Sequence, residues 1–503
     1  MITIVCSSIN PDKGFSEKLI KNSGIKPKDI EFLHYKNDDE YGLTELYNKA
    51  LGEASNDHII FLHDDILLGK NWAKKTLKHL TDTDYGILGV AGSWEMPENG
   101  KWWSNPGTMM GQVWHKQGDK KWLSKYCGDL KNNISEAVVV DGVYFAVDRT
   151  KLSVNFNEEY SGFHFYDVAF SYENHVKGTK VGVIHNIQIT HLSVGATNDE
   201  WEKHRGYFSE ANKETLPTVS DFKIINPEIK RNFKASYKVG VVILHKDKND
   251  LLFQCIESFQ TKSTYNNYKI YIGDTGSSED KLTEIRDKYG DVDNIELINI
   301  GNYHFAKNNN DIVKDYVDVD TNLILFCNND IELVNDALTE MLNTYHTNKR
   351  TVGTIGARLH YGDKTIQHMG MLLFANGRGE LHISHLGLRT RYNFENKETV
   401  VAGNTGGFLL VAKSLFSKAG GFNEKYTECF EDVELNCELI RLGKKNICNG
   451  NAVCYHYESQ TRNDRDSDEK NKRQGKVFNE ILLPYINKNL TTLSPYIQRT
   501  NEK

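Results

Sequence analysis

The chain has 503 residues, of which 39% are hydrophobic and 11% aromatic, so it holds enough apolar material for two packed domains and cannot be disordered throughout. Its 61 basic and 68 acidic residues give a net charge of −7, which excludes the basic surface of a dedicated nucleic-acid-binding protein and predicts no nucleic-acid partner. The eight cysteines form no CxxC pair, no stretch approaches the roughly 18 apolar residues of a membrane span, and the N-terminus lacks the layout of a signal peptide, so we expect a cytoplasmic protein with reduced thiols.

Strand-like and helix-like segments alternate from the N-terminus. ITIVCSS (2–8) is a short β-branched run, LTELYNKALGEA (43–54) has the spacing of an amphipathic helix, and HIIFLHDD (58–65) is an apolar strand that ends in acidic residues. This alternation predicts an α/β fold with a mostly parallel sheet and helices on both faces. We expect the first domain to cover residues 1–215.

A second alternation of the same kind begins at YKVGVVILHK (237–246). Between the two lies a stretch with two prolines and few apolar pairs, so we expect a linker over 216–237. The second domain is expected over 238–462. A highly charged segment then leads into the modestly amphipathic VFNEILLPYINKNL (477–490), and together these predict a charged and helical C-terminal extension over 463–503.

Three polar positions recur in the two halves at one separation of 265 residues. Within each half, a second aspartate follows the first by 102 residues, and a histidine follows that by 24. A duplicated fold preserves apolar periodicity but gives no reason to keep three polar positions, so the repeat indicates shared chemistry. The pairs are Asp65 and Asp330, Asp167 and Asp432, and His191 and His456.

The first aspartate of each half directly follows an apolar strand. In an open α/β sheet, ligands bind beyond the carboxyl ends of the strands. Carboxylates suit Mg²⁺ and Mn²⁺, and Mn²⁺ also accepts an imidazole, so Asp65 with His191, and Asp330 with His456, predict two partial metal shells. The alternative is that an aspartate after a strand caps the next turn. The repeated spacing favours the metal.

The second aspartate of each half lies among aromatic and apolar residues, in HFYDVAF and CFEDVEL. A partly desolvated carboxyl has a raised pKa and suits general-base catalysis, which makes Asp167 and Asp432 the candidate bases. Each also precedes a helix-like segment that ends in glycine, so each can cap a helix as well.

Several blocks follow one another in the second half, from about 238 to 462: the opening strand and KIYIGDTGSS, GNYHFAKNNN, LILFCNND, the block from GNTGGF to EDVELNCELIRLG, and AVCYHY. In content and order these blocks resemble glycosyltransferase family 2. The first half resembles a divergent family-2-like group through its HFYD motif and its ITHL segment. The resemblance implies a tandem of two Rossmann-like GT-A domains, nucleotide-sugar donors, Mn²⁺ or Mg²⁺, and inverting transfer.

The resemblance also implies roles for single residues of the second half. Asp432 would be the base, with Glu431 as its rival, and His456 would complete the shell of the metal held by Asp330. NND offers one carboxylate where the common motif has two. The implied donor-binding residues are Asp274, Asp330, Asn308 and Asn329, with Asn328 as the alternative to Asn329.

In the first half the same roles fall to Asp65 with Asp64, to His191 and to Asp167, while His164 would contact acceptor or phosphate. No counterpart of Asp274 stands out; the candidates are Asn37, Asp38 and Asp39. Asp141 aligns with Gly406 and would contact donor or acceptor, or form a turn. Three tryptophans would either stack on a sugar or pack a loop; they are Trp94, Trp102 and Trp103.

The leading hypothesis is a bifunctional, metal-dependent, hexosyltransferase-type enzyme. It would transfer sugars to a bacterial surface glycan, lipid-linked saccharide or glycoprotein, with peripheral contact at the inner membrane face as an option. The resemblance implies UDP-sugars as the donors, because UDP is the commonest donor nucleotide of that family. The alternative is one active C-terminal domain, with the N-terminal domain as a glycan-binding or scaffolding module. A nucleotidyltransferase is disfavoured, because neither domain opens with a Gly-rich, basic phosphate loop.

Overall fold

The computed structural model describes the chain as two compact units. The described residues are 1–38, 40–125, 133–193, 197–221, 224, 226–375, 380–391, 398–427, 429–457 and 467–499. The N-terminal unit is Met1–Lys223 with Thr390–Tyr392, and the C-terminal unit is Ile224–Arg389 with Asn393–Lys503. Asp39, Cys127 and part of the charged segment, 463–466, lie outside the described residues.

Strands and helices alternate in the N-terminal unit. Its strands are β1 (Ile2–Ser8), β2 (Ile30–Lys36), β3 (His58–Leu62), β4 (Ile66–Leu68), β5 (Ile87–Gly89), β6 (Ala91–Ser93), β7 (Glu95–Met96), β8 (Met109–Gln117), β9 (Lys120–Lys125), β10 (Ile134–Ala137), β11 (Val139–Val140), β12 (Tyr144–Asp148), β13 (Val181–Ile184), β14 (Ile189–His191) and β15 (Thr218–Val219). Its helices are α1 (Lys13–Ser23), α2 (Leu43–Glu53), α3 (Trp72–Asp82), α4 (Tyr166–Val176) and α5 (Asp199–Ala211).

The main sheet of this unit has the order β10-β13-β5-β12-β3-β1-β2. Strands β2, β1 and β3 are parallel, whereas β12 runs antiparallel between β3 and β5. A second sheet, β11-β6-β8-β14-β4, carries β9 beside β8. The predicted α/β class is confirmed, and the sheet is mixed, because β12 enters against the direction of its neighbours.

Both faces of the main sheet are covered, which explains why β3 is a continuous apolar run rather than an alternating one. Successive side chains of a strand point to opposite faces. Ile60 packs with Trp72 of α3 on one face, and Phe61 packs with Tyr47 of α2 on the other. Burial of this strand from both sides fixes where its carboxyl end, and the polar residues after it, emerge.

The C-terminal unit repeats this plan. Its strands are β16 (Val239–His245), β17 (Tyr268–Asp274), β18 (Ile295–Asn299), β19 (Leu323–Cys327), β20 (Ile331–Leu333), β21 (Val352–His360), β22 (Ile366–His368), β23 (Met371–Ala375), β24 (Leu381–His385), β25 (Glu398–Val401), β26 (Phe408–Ala412), β27 (Lys445–His456) and β28 (Ile497–Arg499). Its helices are α6 (Asn249–Lys262), α7 (Glu279–Tyr289), α8 (Phe305–Asp315), α9 (Ala337–Asn348), α10 (Lys413–Lys418), α11 (Glu431–Arg441), α12 (Ser467–Val477), α13 (Leu483–Lys488) and α14 (Leu490–Leu493).

The main sheet of the C-terminal unit has the order β18-β17-β16-β19-β26-β21-β27-β20. The first four strands are parallel, and β26 runs antiparallel between β19 and β21. Strand β26 therefore occupies the position that β12 has in the N-terminal unit. Leu482, Ile486 and Leu493 of the C-terminal segment are buried in one cluster with Val433 and Ile440 of α11.

The two main sheets differ by one residue in register at β12 and β26. Phe61 of β3 lies opposite Phe145 of β12, and its counterpart Phe326 of β19 lies opposite Leu409 of β26. Phe61 and Phe326 are 265 residues apart, whereas Phe145 and Leu409 are 264 apart. Gly142 is therefore the counterpart of Gly406. The alignment of Asp141 with Gly406 was wrong, because the segment between β3 and β12 is one residue longer, and Asp141 matches Thr405.

The segment expected to be a linker, 216–237, makes specific contacts. Within the N-terminal unit, Thr218 and Val219 form β15 and pair with β7. Within the C-terminal unit, Phe233 and Tyr237 are buried in the core, and the Tyr237 hydroxyl lies 2.7 Å from His346 Nδ1. Among the helices of the described residues, none is both long and apolar enough to cross a membrane.

Candidate active sites

A cavity of about 460 Å³ lies at the carboxyl ends of β16 and β19 in the C-terminal unit. This is the edge of an α/β sheet where ligands are expected. Its walls come from the ends of β16 and β27, the NND segment, the turn before β26 and the start of α11, together with Thr275 after β17 and Tyr303 and Phe305 at the start of α8. The lining residues used below are His245, Asn328, Asn329, Asp330, Glu431, Asp432 and His456.

Strand pairing brings Asp330 and His456 together. Strand β20 runs antiparallel to β27 with Ile331 opposite His456, so the residue before Ile331 faces the end of β27. Asp330 Oδ1 lies 3.1 Å from His456 Nε2, and the two residues are only 5% and 7% exposed. The predicted pair is therefore present and largely excluded from solvent.

The hydrogen bonds of His456 indicate which of its nitrogens carries the proton. Nδ1 lies 2.6 Å from the amide oxygen of Gln367, which only accepts, so Nδ1 carries the hydrogen. Nε2 then presents a lone pair, to which the Asn328 amide donates from 3.1 Å. Asp330 Oδ1 accepts no hydrogen bond from the described residues. Two electron-rich buried atoms facing each other fit a divalent cation, with Gln367 orienting the imidazole.

Of the two asparagines in NND, Asn328 is the one beside the metal pair. Asn329 instead donates its amide to His245 Nδ1 at 3.2 Å. His245 Nε2 lies 2.9 Å from Asn249 Oδ1, so Nε2 carries the hydrogen and Nδ1 accepts. Burial lowers the pKa of His245, which keeps it neutral. Asn329 and His245 therefore form a fixed wall of the cavity.

Two other predicted donor-binding residues hold local backbone. Asp274, at the end of β17, accepts the N–H groups of Gly276 at 3.1 Å and Ser277 at 3.2 Å. A carboxylate has room for further donors, so a nucleoside contact stays a prediction. Asn308 accepts the His304 N–H at 2.5 Å in the first turn of α8 and does not line the cavity.

Asp432 stands in the first turn of α11, which starts after Phe430 in the left-handed region (φ 76°). Its Oδ2 accepts the Gly406 N–H at 2.8 Å. Desolvation raises the pKa of Asp432 and outweighs the hydrogen bonds from Gly406, Val433 and Thr405, which lower it. Glu431 is also buried and lines the same cavity, so the two rival bases remain side by side.

The N-terminal unit contains the equivalent pair. Strand β14 runs antiparallel to β4 with His191 opposite Ile66, the same register as in the other unit. His191 Nε2 lies 3.2 Å from Asp65 Oδ1. Desolvation raises the pKa of Asp65, but hydrogen bonds from His191 and Ser193 outweigh it and bring the pKa to about 2. Asp65 is thus an anion at neutral pH.

A third side chain joins this pair, and the sequence analysis missed it. The ligand atoms of His63, Asp65 and His191 all lie within 4.8 Å of one another. His63 Nδ1 is 3.9 Å from Asp65 Oδ1. The signal was present in the comparison of HDD with NND, where His63 replaces Asn328. Asp64, the predicted partner of Asp65, is exposed and lies outside this cluster.

Asp167 occupies the same place as Asp432. Helix α4 starts after Phe165 in the left-handed region (φ 66°), and Asp167 Oδ2 accepts the Gly142 N–H at 2.5 Å. Desolvation and the nearby Asp141 raise the pKa of Asp167 to about 7. Tyr166 takes the place of Glu431, and burial raises its pKa well above the usual value, so it cannot act as a base at neutral pH.

The remaining candidates of the N-terminal unit have structural settings. Trp94 and Trp102 are buried, and Trp103 packs against Trp102 and Trp201 at ring distances of 5.5 and 5.2 Å, which favours a packed loop. The Asn37 side chain exchanges hydrogen bonds with the Tyr41 backbone. Asp38 lies in the same loop, and His164 lies in the loop before α4; their roles stay predictions.

Two family models match this chain. Residues 7–215 match the model described as "Glycosyltransferase like family", and residues 240–420 match "Glycosyl transferase family 2". The chain carries two family-2-like glycosyltransferase domains in tandem. The predicted membership of two family-2-like domains and the predicted GT-A fold class are confirmed, because both matches fall on the α/β units described above.

Curated relatives are distant and longer. An uncharacterized protein of Sinorhizobium fredii, y4gI, is 24% identical over 346 residues, which is 63% of this chain and 36% of that protein. The O-antigen biosynthesis protein RfbC of Myxococcus xanthus is 22% identical over 263 residues, 52% of this chain and 20% of that protein. The chain thus spans about a third or less of either relative.

Solved structures are similar at a low level. One is GalNAc-T7 with UDP, GalNAc and Mn²⁺, with 12% identity, a TM-score of 0.39 and 49% of each chain covered. Another is the mannosyltransferase PcManGT of Pyrobaculum calidifontis with GDP-Man and Mn²⁺, with 12% identity, a TM-score of 0.33, and coverage of 51% of this chain and 65% of that one.

Proposed function

We propose that this protein is a bifunctional inverting glycosyltransferase. Each unit takes a nucleotide-sugar, with UDP as the first nucleotide to test, and transfers the sugar to a hydroxyl of a glycan, lipid-linked saccharide or glycoprotein. The observation that carries this proposal is the repeated constellation. In both units, an Asp–His pair at 3.1 to 3.2 Å, buried in the C-terminal unit and partly exposed at Asp65 in the N-terminal unit, accompanies a carboxylate at the start of a helix that follows a left-handed phenylalanine.

The chain's own residues fit a direct displacement. A bound Mn²⁺ or Mg²⁺ would be held by Asp330 and His456, and by Asp65 and His191, and would neutralise the charge of the departing diphosphate. Asp432 and Asp167 remove the proton of the acceptor hydroxyl as it attacks the anomeric carbon. The Gly406 and Gly142 N–H groups each fix one oxygen of the carboxylate. Asp432 Oδ1 also accepts the Val433 N–H at 2.8 Å, and its second lone pair remains for the incoming proton.

Two further observations support parts of this proposal. The cavity of about 460 Å³ in the C-terminal unit is within the usual size of a small-molecule site. The name of the Myxococcus xanthus relative, an O-antigen biosynthesis protein, favours a surface polysaccharide as the product. We propose a cytoplasmic enzyme that meets a lipid-linked or surface-bound acceptor at the inner membrane face.

One observation favours a second candidate, in which only the C-terminal unit is active and the N-terminal unit binds glycan or acts as a scaffold. No counterpart of Asp274 is identified among the described residues of the N-terminal unit, which do not include Asp39, and the side chain of Asn37 is engaged by its own loop. Against this stands the complete set of Asp65, Asp167 and His191, since a binding module has no need of a base.

The test uses the full chain with a panel of UDP-, GDP- and dTDP-sugars in Mn²⁺ or Mg²⁺, and it measures nucleoside diphosphate release and sugar transfer. Asp432→Asn should slow the transfer step of the C-terminal unit by about 10²- to 10⁴-fold, and Asp167→Asn should slow that of the N-terminal unit by the same factor. Asp287→Asn, on the exposed face of α7, is the matched control.

The outcomes separate the candidates. If Asp167→Asn leaves every step unchanged while Asp432→Asn removes transfer, the single-activity candidate is right. If neither substitution reduces transfer, or no nucleotide-sugar is consumed by the unsubstituted chain, the proposed function is wrong.

A further inference from the structure

The two metal pairs differ in the third side chain beside them. In the N-terminal unit this is His63, whose Nδ1 lies 3.9 Å from Asp65 Oδ1. In the C-terminal unit the same position is Asn328, whose amide donates to His456 Nε2 at 3.1 Å. An imidazole offers a metal a nitrogen lone pair, whereas an amide offers only its oxygen. The difference therefore affects which metal each unit prefers.

The hydrogen bonds of Tyr166 determine the protonation of His63. The Tyr166 hydroxyl has one hydrogen, and it donates this hydrogen to the Gly142 carbonyl at 3.3 Å. The same oxygen lies 3.0 Å from His63 Nε2, and the tautomer with a hydrogen on Nε2 satisfies both contacts, because the hydroxyl then accepts from His63 and keeps its own hydrogen for the Gly142 carbonyl. His63 Nδ1 is then a bare lone pair directed at the Asp65 side.

This arrangement is that of a metal-ligating histidine. Such a residue usually donates its distal N–H to a fixed partner, which orients the ring toward the metal. Tyr166 is buried and provides that partner in the N-terminal unit. In the C-terminal unit, Asn328 stands in place of His63 and Glu431 in place of Tyr166. That unit therefore has neither the third imidazole nor the hydroxyl that orients it.

The geometry needs only a small adjustment to close around a cation. Metal–ligand bonds of about 2.1 Å place neighbouring ligand atoms roughly 3 to 3.4 Å apart. His191 Nε2 and Asp65 Oδ1 already meet this spacing at 3.2 Å, and a bound cation would replace the hydrogen that His191 Nε2 donates to Asp65, which leaves for Nδ1 or solvent. His63 Nδ1, at 3.9 Å from the same oxygen, lies about 0.5 to 0.9 Å beyond this spacing, and all three ligand atoms lie within 4.8 Å of one another.

We infer that His63 is a third metal ligand and that the N-terminal unit selects a transition metal over Mg²⁺, whereas the C-terminal unit accepts Mg²⁺ as well as Mn²⁺. Two imidazoles and one carboxylate favour Mn²⁺, Co²⁺ or Zn²⁺, because Mg²⁺ prefers oxygen ligands. The inference rests on the proposed function for its metal-dependent sites, but binding tests it without any transfer assay.

The experiment titrates Co²⁺ into the full chain carrying His456→Ala, which removes the imidazole of the C-terminal pair. Co²⁺ is the probe because its visible absorption reports nitrogen ligation. We expect one Co²⁺ per chain by equilibrium dialysis, with a visible band that a 100-fold excess of Mg²⁺ does not remove. His63→Asn, which copies the other unit, should weaken Co²⁺ binding about 10- to 100-fold and reduce the band.

Two further variants sharpen this result. Tyr166→Phe removes the partner of His63 Nε2, and we expect about 10-fold weaker Co²⁺ binding with an unchanged ligand count, as for a positioning residue. His175→Asn, at the other end of α4, is the matched control and should bind Co²⁺ as the parent does. Near-ultraviolet circular dichroism checks that each variant is folded.

A gain-of-ligand variant keeps the inference falsifiable if His63→Asn fails to fold. Asn328→His in a chain carrying His191→Ala should raise the preference of the C-terminal unit for Co²⁺ over Mg²⁺ by about 10-fold or more. Unchanged Co²⁺ affinity in His63→Asn, or displacement of Co²⁺ by Mg²⁺, would overturn the inference. Either result leaves the proposed transfer intact, whereas selective Co²⁺ binding without any transfer would refute only the proposed function.

Discussion

The two units of this protein hold the same Asp–His pair and the same helix-borne aspartate, yet the residues beside them differ. Strand register sets the shared part, because β4 with β14 and β20 with β27 pair in the same way. The differences fall on side chains that contact the pair or the base. The differing positions are His63 and Asn328, Tyr166 and Glu431, and Asp141 and Thr405.

These differences show that backbone geometry and chemical tuning are separable. Asp141 adds a like charge near Asp167 and raises its pKa, whereas the Thr405 hydroxyl donates to Asp432 and lowers its pKa. The first turns of α4 and α11 place the two carboxylates in equivalent positions, and their neighbours then adjust how readily each takes a proton. Substitutions that exchange these neighbours between the units therefore test what each neighbour contributes.

The largest expected effect separates the two rival bases of the C-terminal unit. Asp432→Asn should reduce its transfer rate by about 10²- to 10⁴-fold, because the acceptor proton has no receiver. Glu431→Gln should reduce it by less than about 10-fold, since the N-terminal unit has Tyr166 there. Steady-state transfer at saturating donor measures both. A reversed order of the two losses would assign the base to Glu431.

A stability prediction compares the ends of β3 and β19. Leu62 and Cys327 are counterparts, and both are buried. Leu62→Ala leaves a larger cavity and should destabilise the N-terminal unit by about 2 to 5 kcal/mol, while Cys327→Ala should cost the C-terminal unit less than about 2 kcal/mol. Urea unfolding measures both, with tryptophan fluorescence for the N-terminal unit, which holds all seven tryptophans, and tyrosine fluorescence with circular dichroism for the C-terminal unit. Because leucine is larger than cysteine, equal decreases in the free energy of unfolding would show that the two sheets are packed differently at this position.

A smaller effect is expected from the residue that orients His456. Gln367→Leu removes the acceptor of the Nδ1 hydrogen, so the ring can adopt the other tautomer and Mn²⁺ affinity should fall about 10-fold. Isothermal titration with Mn²⁺ in a chain carrying His191→Ala measures this. Asn249→Ala, which acts on His245 instead, should leave Mn²⁺ affinity within about 2-fold of the parent.

The smallest effect is a shift in pH dependence. A base works only when deprotonated, so transfer by the N-terminal unit should rise with pH through about 7, the pKa of Asp167. Asp141→Thr removes the like charge and introduces the hydroxyl of the other unit, so the midpoint should move to lower pH. A pH profile of kcat for the N-terminal transfer step measures the midpoint. An unchanged midpoint would mean that desolvation alone sets the pKa.

Much of this arrangement could be predicted from the sequence. Apolar runs alternating with helical spacing predicted the α/β units, and equal spacing predicted that Asp65 and His191, and Asp330 and His456, belong together. Family resemblance added the GT-A fold. These features are encoded in periodicity and order along the chain, which a sequence displays directly.

Other features depend on contacts that spacing does not reveal. The mixed sheet follows from the direction of β12, and the one-residue difference at Gly142 follows from strand register. His63 was missed because its role comes from Tyr166, which lies 103 residues further along the chain. Asn308 and Asn329 match family positions, yet their amide groups are used by neighbouring residues.

The N-terminal unit is more sensitive to substitution at Gly142 than the C-terminal unit is at the counterpart, Gly406. A Cβ at Gly142 would collide with the Tyr166 hydroxyl and come within 2.9 Å of Asp167 Oδ2, whereas a Cβ at Gly406 would have its nearest neighbours at 3.4 Å. In the N-terminal unit, Gly142→Ala therefore displaces both Tyr166, the proposed partner of His63, and Asp167, the proposed base. The second unit can accommodate the same change, because a Cβ at Gly406 would make only ordinary van der Waals contacts.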